Sequence, residues 1–256
     1  MTPVSPVTTL PDAWLPTVDF DTLPATPEAE APATVILPPT PLAMPEIGAL
    51  AYTLCPTSAE FLTQCEEPSA GILQRRIGEA RIPADVQAEL VYYPDTVNFL
   101  AVVGAGLPDT AVLLPLWMRI AKAMPRADLR VVDERALPLL ERLLGEEAGV
   151  DMESAELPML LVLDEEWRFQ ASWGPRPAAA EILLDEWLMQ HPEYEALAEA
   201  EEGEGAQEQE AWVALTETLF MQMRVWYNSG LDADAAREIL ALLASLLDVP
   251  PDMDTL

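Results

Sequence analysis

Residues 98–115 read NFLAVVGAGLPDTAVLLP and join two patterns of different period. The first, at 98–103, is a continuous apolar run that ends at Gly104 and is typical of a strand buried on both faces of a sheet. The second begins at Asp109 and continues with helical spacing to Met124. A buried strand followed directly by a helix predicts an α/β core.

The same alternation extends to both sides of this stretch. The spacing Thr57-Ser58-Ala59-Glu60 is that of a capping box, which predicts a helix start. Two strands around the turn Asp164-Glu165-Glu166 predict a hairpin next to strands joined by helices, and therefore a mixed sheet. The predicted helices cover 58–65, 69–80, 84–89, 109–124, 135–144 and 177–189, and the predicted strands cover 98–103, 128–132, 159–163 and 168–173.

A proline-rich segment precedes the core, which we assign to 49–192. Residues 1–48 hold 11 of the 25 prolines, a composition that favours polyproline II over helix or sheet. We interpret 1–48 as an extended or disordered arm. The apolar spots Trp14-Leu15 and Val35-Ile36-Leu37 offer points at which it would attach to its own domain or to a partner.

Two further segments follow the core. Residues 193–209 are rich in glutamate and predict an acidic linker. Residues 210–256 predict a helical hairpin, with Gly230 as a left-handed stop and Asp232 as the cap of the second helix.

Composition and charge exclude several classes of protein. The 256 residues carry a net charge of −31 and are 50% apolar, so they repel phosphate backbones and anionic lipids but can bury a core. We therefore expect no nucleic-acid or membrane partner. Two cysteines and one histidine exclude a disulfide scaffold and a His-rich metal site, and no motif indicates a cofactor. The first twenty residues lack a basic, apolar leader, which predicts a cytoplasmic protein.

From 99 to 188 the sequence resembles bacterial thioredoxin-fold proteins whose last strand ends in Trp-Gly-Pro-Arg-Pro, found here at 173–177. Such proteins carry a Cys-Gly-Asp-Cys loop at a helix start, with a proline five residues beyond the second cysteine. Pro115 matches that proline, which places 107–110, Leu-Pro-Asp-Thr, at the loop. The cis-proline that faces the loop corresponds to Pro158. The resemblance implies a thioredoxin-like three-layer sandwich with a mixed sheet, extra N-terminal helices and a C-terminal helical hairpin.

The resemblance also bears on activity. Thiol–disulfide exchange needs an attacking and a resolving thiol, and the loop has neither, so we expect a redox-inactive protein that is not an enzyme. The helix after the loop is apolar at 111–114, and either the chain's own arm or hairpin covers this face or a protein partner or second copy docks there. The expected site, a degenerate active-site loop and docking face, consists of Leu107, Pro108, Asp109, Thr110, Leu113 and Pro158.

Three functions follow from these features. The first is a non-catalytic adaptor or assembly subunit that binds through the former active-site face. The second is a thiol redox or thiol-adduct protein using Cys55 or Cys65. The third is an acidic mimic that binds a basic protein surface. Residues 101–150 hold seven acidic and six basic residues, against 24 and four in 151–256, so the near-neutral region is the expected contact surface.

Overall fold

The computed structural model describes residues 51–65, 69–104, 107–138, 140, 156–198 and 206–247. The arm predicted over 1–48 lies outside these ranges. So do residues 141–144 of the predicted helix that follows the second strand.

Four strands form one mixed sheet in the order β2-β1-β3-β4. β1 pairs in parallel with β2 and antiparallel with β3, and β4 pairs antiparallel with β3. Every residue of β1 and β3 is buried, as the apolar runs predict for strands covered on both faces. The strands are β1 (Val97–Val103), β2 (Ala127–Asp133), β3 (Met159–Leu163) and β4 (Phe169–Trp173).

Eight α-helices, a short 3₁₀ turn at Glu134–Ala136 and a π-helical segment at Tyr227–Leu231 surround the sheet in the described part of the chain. The predicted helix over 135–144 begins with this turn. The helices are α1 (Ser58–Gln64), α2 (Ser69–Glu79), α3 (Ala84–Val91), α4 (Pro108–Ala123), α5 (Ala178–Gln190), α6 (Glu193–Ala198), α7 (Ala206–Trp226) and α8 (Asp232–Leu247).

Apolar side chains fill both faces of the sheet, which confirms the predicted three-layer α/β sandwich. Phe99 of β1 joins one cluster with residues of α1–α5, α7 and α8. Leu100, the next residue, joins a second cluster with Tyr52, Cys55 and Leu140. Successive side chains of a strand point to opposite faces, so β1 lies at the centre of both layers.

The predicted capping box starts α1. Thr57 Oγ1 accepts a hydrogen bond from the Glu60 backbone N–H at 3.2 Å, and the Glu60 carboxylate accepts one from the Thr57 N–H at 2.8 Å. Two helix-end donors are thereby satisfied. The adjacent backbone also covers the edge of β2, where the Val131 N–H donates to the Pro56 carbonyl at 3.0 Å.

The segment 193–209, predicted to be an acidic linker, is partly helical where the structure describes it. Residues 193–198 form α6, and α7 already begins at Ala206. The Tyr194 ring packs edge-on against Trp187, with centroids 5.3 Å apart. This apolar contact stabilises a helical turn that the glutamate content alone does not predict.

The two C-terminal helices exist as predicted, and both pack on the rest of the fold. α7 packs on α4 and α6, whereas α8 packs on α3, α4 and β4. Leu219 and Met223 of α7 and Ile239 and Leu243 of α8 are buried in the cluster that contains Phe99. No helix in the described ranges combines the length and the apolar character needed to cross a membrane.

Candidate functional site

The loop between β1 and α4 lies where the sequence places the candidate site. Leu107 is the N-cap residue of α4, and Pro108 occupies its first turn. Proline suits this position because its missing N–H would have no helical partner. Met159 of β3 pairs with Val102, so Pro158 lies beside the end of β1, and its peptide bond with Leu157 is cis.

The segment 173–177 packs against this proline. Gly174 has a φ of +136°, and a Cβ atom there would lie 2.5 Å from the Pro158 carbonyl oxygen. Only glycine allows both this backbone conformation and so close an approach. The Trp173 ring meets Trp117 of α4 edge-to-face with centroids 6.2 Å apart, which fixes the end of β4 against α4.

Asp109 and Arg176 form a bidentate ion pair across the candidate site. Arg176 Nε donates to Asp109 Oδ1 at 3.2 Å, and Nη2 donates to Oδ2 at 3.0 Å. Asp109 is 6% exposed, and this burial raises its pKa, although the Arg176 hydrogen bonds oppose the rise. A second carboxylate, Glu181, accepts from Arg176 Nη1 at 3.2 Å. The guanidinium is therefore held between α4 and α5 and keeps its charge.

Leu107 and Thr110, at the two ends of the loop 107–110, both place their side chains against Gly104. Thr110 Oγ1 donates to the Gly104 carbonyl oxygen at 3.2 Å, and Thr110 is buried. The Leu107 side chain lies over Gly104, where an added Cβ would come within 2.3 Å of Leu107 Cδ1. Neither side chain has a group that attacks or resolves a disulfide.

The predicted docking face is closed. Leu113 has no exposed area, and the other predicted site residues are buried or, in the case of Leu107, half-buried. Of the two interpretations that the sequence left open, the structure supports cover by the chain itself, because α2, α3, α7 and α8 all pack on α4. An outside partner cannot reach Leu113 in this arrangement.

Glu238 of α8 accepts hydrogen bonds at both ends of the segment 173–178. Its Oε2 accepts from Trp173 Nε1 at 3.1 Å, and its Oε1 accepts from the Ala178 backbone N–H at 3.0 Å. Because the N-cap residue of α5 is Pro177, which has no side-chain acceptor, Glu238 supplies the missing cap from a distant helix. No local sequence signal indicates this role.

A buried ion pair ties α8 to α2. Arg76 Nη2 donates to Asp232 Oδ1, and the Arg81 backbone N–H donates to Asp232 Oδ2 at 2.9 Å. Arg76 and Asp232 are 0% and 3% exposed, and burial raises the pKa of Asp232 against the opposing effect of Arg76. The predicted capping role of Asp232 is therefore wrong, since both of its oxygens accept hydrogen bonds from the N-terminal part of the fold.

A second contact lies beside the first. Arg224 Nε donates to Glu79 Oε2 at 2.7 Å, and Asn228 Nδ2 donates to the same oxygen at 3.2 Å. The Arg224 hydrogen bonds lower the pKa of Glu79 to about 2. Asn228 also accepts from Arg76 Nη1 at 3.0 Å, so one side chain joins the two ion pairs.

Comparisons with known proteins agree with this architecture. A sequence model described as thioredoxin matches residues 55–188, more than half of the chain. The chain belongs to the thioredoxin family. A search of curated proteins found no match.

Two solved structures show the same fold at low sequence identity. One is a protein of unknown function from Pseudomonas aeruginosa, with 18% identity, a TM-score of 0.51, and coverage of 77% of this chain and 96% of that chain. The other is an HIV epitope scaffold, with 17% identity, a TM-score of 0.50, and coverage of 77% and 97%. At this identity the likeness concerns the thioredoxin fold alone.

The two thiols of this thioredoxin-family chain lie outside the loop. Cys55 is 8% exposed, and its Sγ donates to the Ala51 carbonyl oxygen at 3.2 Å. Cys65 is half-buried, and both cysteines are free. Burial raises the pKa of each thiol to about 11, so both are protonated at neutral pH. A protonated thiol is a poor nucleophile, which counts against the thiol interpretation of function.

Proposed function

We propose that this chain is a redox-inactive thioredoxin-fold protein that works by non-catalytic protein binding, as an adaptor or an assembly subunit. The observation that carries the proposal is the ion pair between Asp109 and Arg176. It occupies the loop at which redox-active relatives carry two thiols, and Leu107 and Thr110 stand where those thiols would be. The loop serves as a structural junction between α4 and α5.

The closed face determines where binding takes place. Thioredoxin-fold grooves hold extended chains beside the cis-proline, but here α4 and Pro158 lie beneath other parts of the chain. The partner, a different protein or a second copy, therefore contacts an outer surface of the fold. The strongly acidic composition of 151–256 keeps that exterior soluble.

An insulin reduction assay with dithiothreitol tests the lack of redox activity. We expect the wild-type protein to reduce insulin no faster than dithiothreitol alone. We expect the same of the double variant Leu107→Cys/Thr110→Cys, because the cysteine at position 110 would be buried and the one at position 107 half-buried. Reduction by the double variant would show that the site is open and that only the thiols are missing.

Replacement of the native thiols separates the proposal from the thiol alternative. In a Cys55→Ser/Cys65→Ser variant, capture of a partner by the immobilised chain should equal that of wild type. Loss of capture in this variant would assign the function to the thiols and contradict the proposal. Capture that collapses between low and moderate salt would instead favour the acidic mimic, because exposed charge pairs are screened by salt.

A further inference from the structure

An apolar groove lies between the end of α3 and the last turns of α8. Leu247, at the end of α8, forms part of one wall and is 44% exposed. Tyr92, at the outer edge of the groove, is 84% exposed. Such exposure is unusual for large apolar and aromatic side chains in a chain that buries most of the others. The remaining apolar lining consists of Ala88, Tyr93, Pro94, Leu240 and Ala244.

The chemistry of this groove suits a proline-rich strand. Grooves that bind polyproline II segments are lined by aromatic rings, and this one has two tyrosines beside a proline. Tyr93 Oη donates to the Leu243 carbonyl oxygen at 3.2 Å, which holds its ring as a fixed wall. Tyr92 is free of such a bond among the described contacts and faces solvent, so its hydroxyl can donate to the solvated carbonyls of a polyproline II chain.

The sequence contains three candidate ligands of the form Pro-x-x-Pro, at 3–6, 24–27 and 38–41. Three residues make one polyproline II turn, so the two prolines of each motif lie on the same edge. Glu89 is the charged residue of the groove lining and repels acidic chains. The motif at 24–27 lies between Asp21 and Glu28, whereas residues 31–45 contain no charged side chain. Charge therefore favours 38–41 over 24–27.

The motif at 38–41 can also reach the groove. Tyr52 Oη donates to the Phe99 carbonyl oxygen at 3.0 Å, so the Cα atoms of Tyr52 and Phe99 lie within about 12 Å of each other. Pro94 of the groove is five residues before Phe99, hence within about 19 Å of it, which places Ala51 at most about 35 Å from Pro94. The ten residues from Pro41 to Ala51 span up to about 35 Å when extended. A tether of this length gives an effective concentration on the order of millimolar, which populates even a weak contact.

We propose that residues 35–41 of this same chain occupy the groove, with Pro38 and Pro41 against the tyrosine rings and Val35-Ile36-Leu37 toward the apolar end at Leu247. The docking is intramolecular. It covers the exposed apolar surface of α3 and α8 and is independent of the proposed adaptor role.

Site-specific photo-cross-linking in the full chain tests this docking. The variant Tyr92→p-benzoyl-L-phenylalanine should cross-link, within one chain, to a peptide that contains 35–41. The matched control Ile182→p-benzoyl-L-phenylalanine, at a position on α5 that is 63% exposed, should not cross-link to that peptide. Adding Pro38→Ala/Pro41→Ala should remove most of the cross-link from position 92, whereas Pro24→Ala/Pro27→Ala should leave it unchanged.

Several results would overturn the proposal. A cross-link from position 92 to residues 248–256 would assign the groove to the other end of the chain. A cross-linked dimer would assign it to a second copy. Loss of the cross-link in Pro24→Ala/Pro27→Ala, or no cross-link at all from position 92, would show that 38–41 does not bind there.

Discussion

Replacing Asp232 with alanine is expected to lower the free energy of unfolding by about 3–5 kcal/mol. The change leaves the Arg76 guanidinium, which is fully buried, without its carboxylate, and it removes the acceptor for the Arg81 N–H. A buried charge without a partner keeps its desolvation cost and loses the compensating attraction. Urea denaturation followed by circular dichroism measures the effect.

Two controls show whether the effect belongs to the buried pair. Asp234→Ala, two residues along α8 and 3.6 Å from Arg237 in an exposed ion pair, should change stability by less than about 1 kcal/mol. Arg76→Met/Asp232→Leu removes both charges and should recover much of the loss. If Asp232→Ala is no more destabilising than Asp234→Ala, the pair does not join α2 to α8 as described.

Leu113→Arg is expected to destabilise the fold by more than about 4 kcal/mol, so that most of the protein is unfolded or aggregated. Leu113 has no exposed area and lies in the main core cluster. A guanidinium at this position would lose its hydration among the apolar side chains of the core. Thermal denaturation and size-exclusion chromatography would detect the loss of the folded state.

The matched surface control is Met189→Arg on α5, where the native side chain is 74% exposed. It should change stability by about 0.5 kcal/mol or less. The milder Leu113→Ala should cost about 2–5 kcal/mol through the cavity it leaves. A folded and stable Leu113→Arg protein would mean that this face is open, as the docking interpretation requires.

Local patterns predicted most of the fold. The capping box at Thr57, the buried run of β1 and the turn at Asp164 all depend on residues close together in sequence, and each lies where it was expected. The predicted linker contains the helix α6, which its glutamate content did not indicate and which the Trp187 and Tyr194 contact stabilises. Helix propensity and charge, judged from a short stretch of sequence, do not reveal a packing contact of this kind.

The sequence predicted where the loop residues lie in the fold, but not how deeply they are buried. The spacing from Pro115 and the resemblance at Pro158 located the loop at the start of α4. Neither signal could show that Glu238 and Asp232 hold α8 against the rest of the fold. The residues that these two carboxylates contact lie 60 to 156 positions away in the sequence. An apolar helix face has the same sequence whether a partner or the chain itself covers it, and only the tertiary structure separates the two.

The central claim is that the first turn of α4 is closed, and thiol labelling of a cysteine placed in it is the most direct test. In a Cys55→Ser/Cys65→Ser background, Thr110→Cys would be compared with Met189→Cys for reaction with a maleimide at neutral pH. Thr110 is 6% exposed and Met189 is 74% exposed. We expect Thr110→Cys to react at least about 100-fold more slowly, at a rate set by opening of the covering helices. Labelling of the two cysteines at similar rates would contradict a closed site.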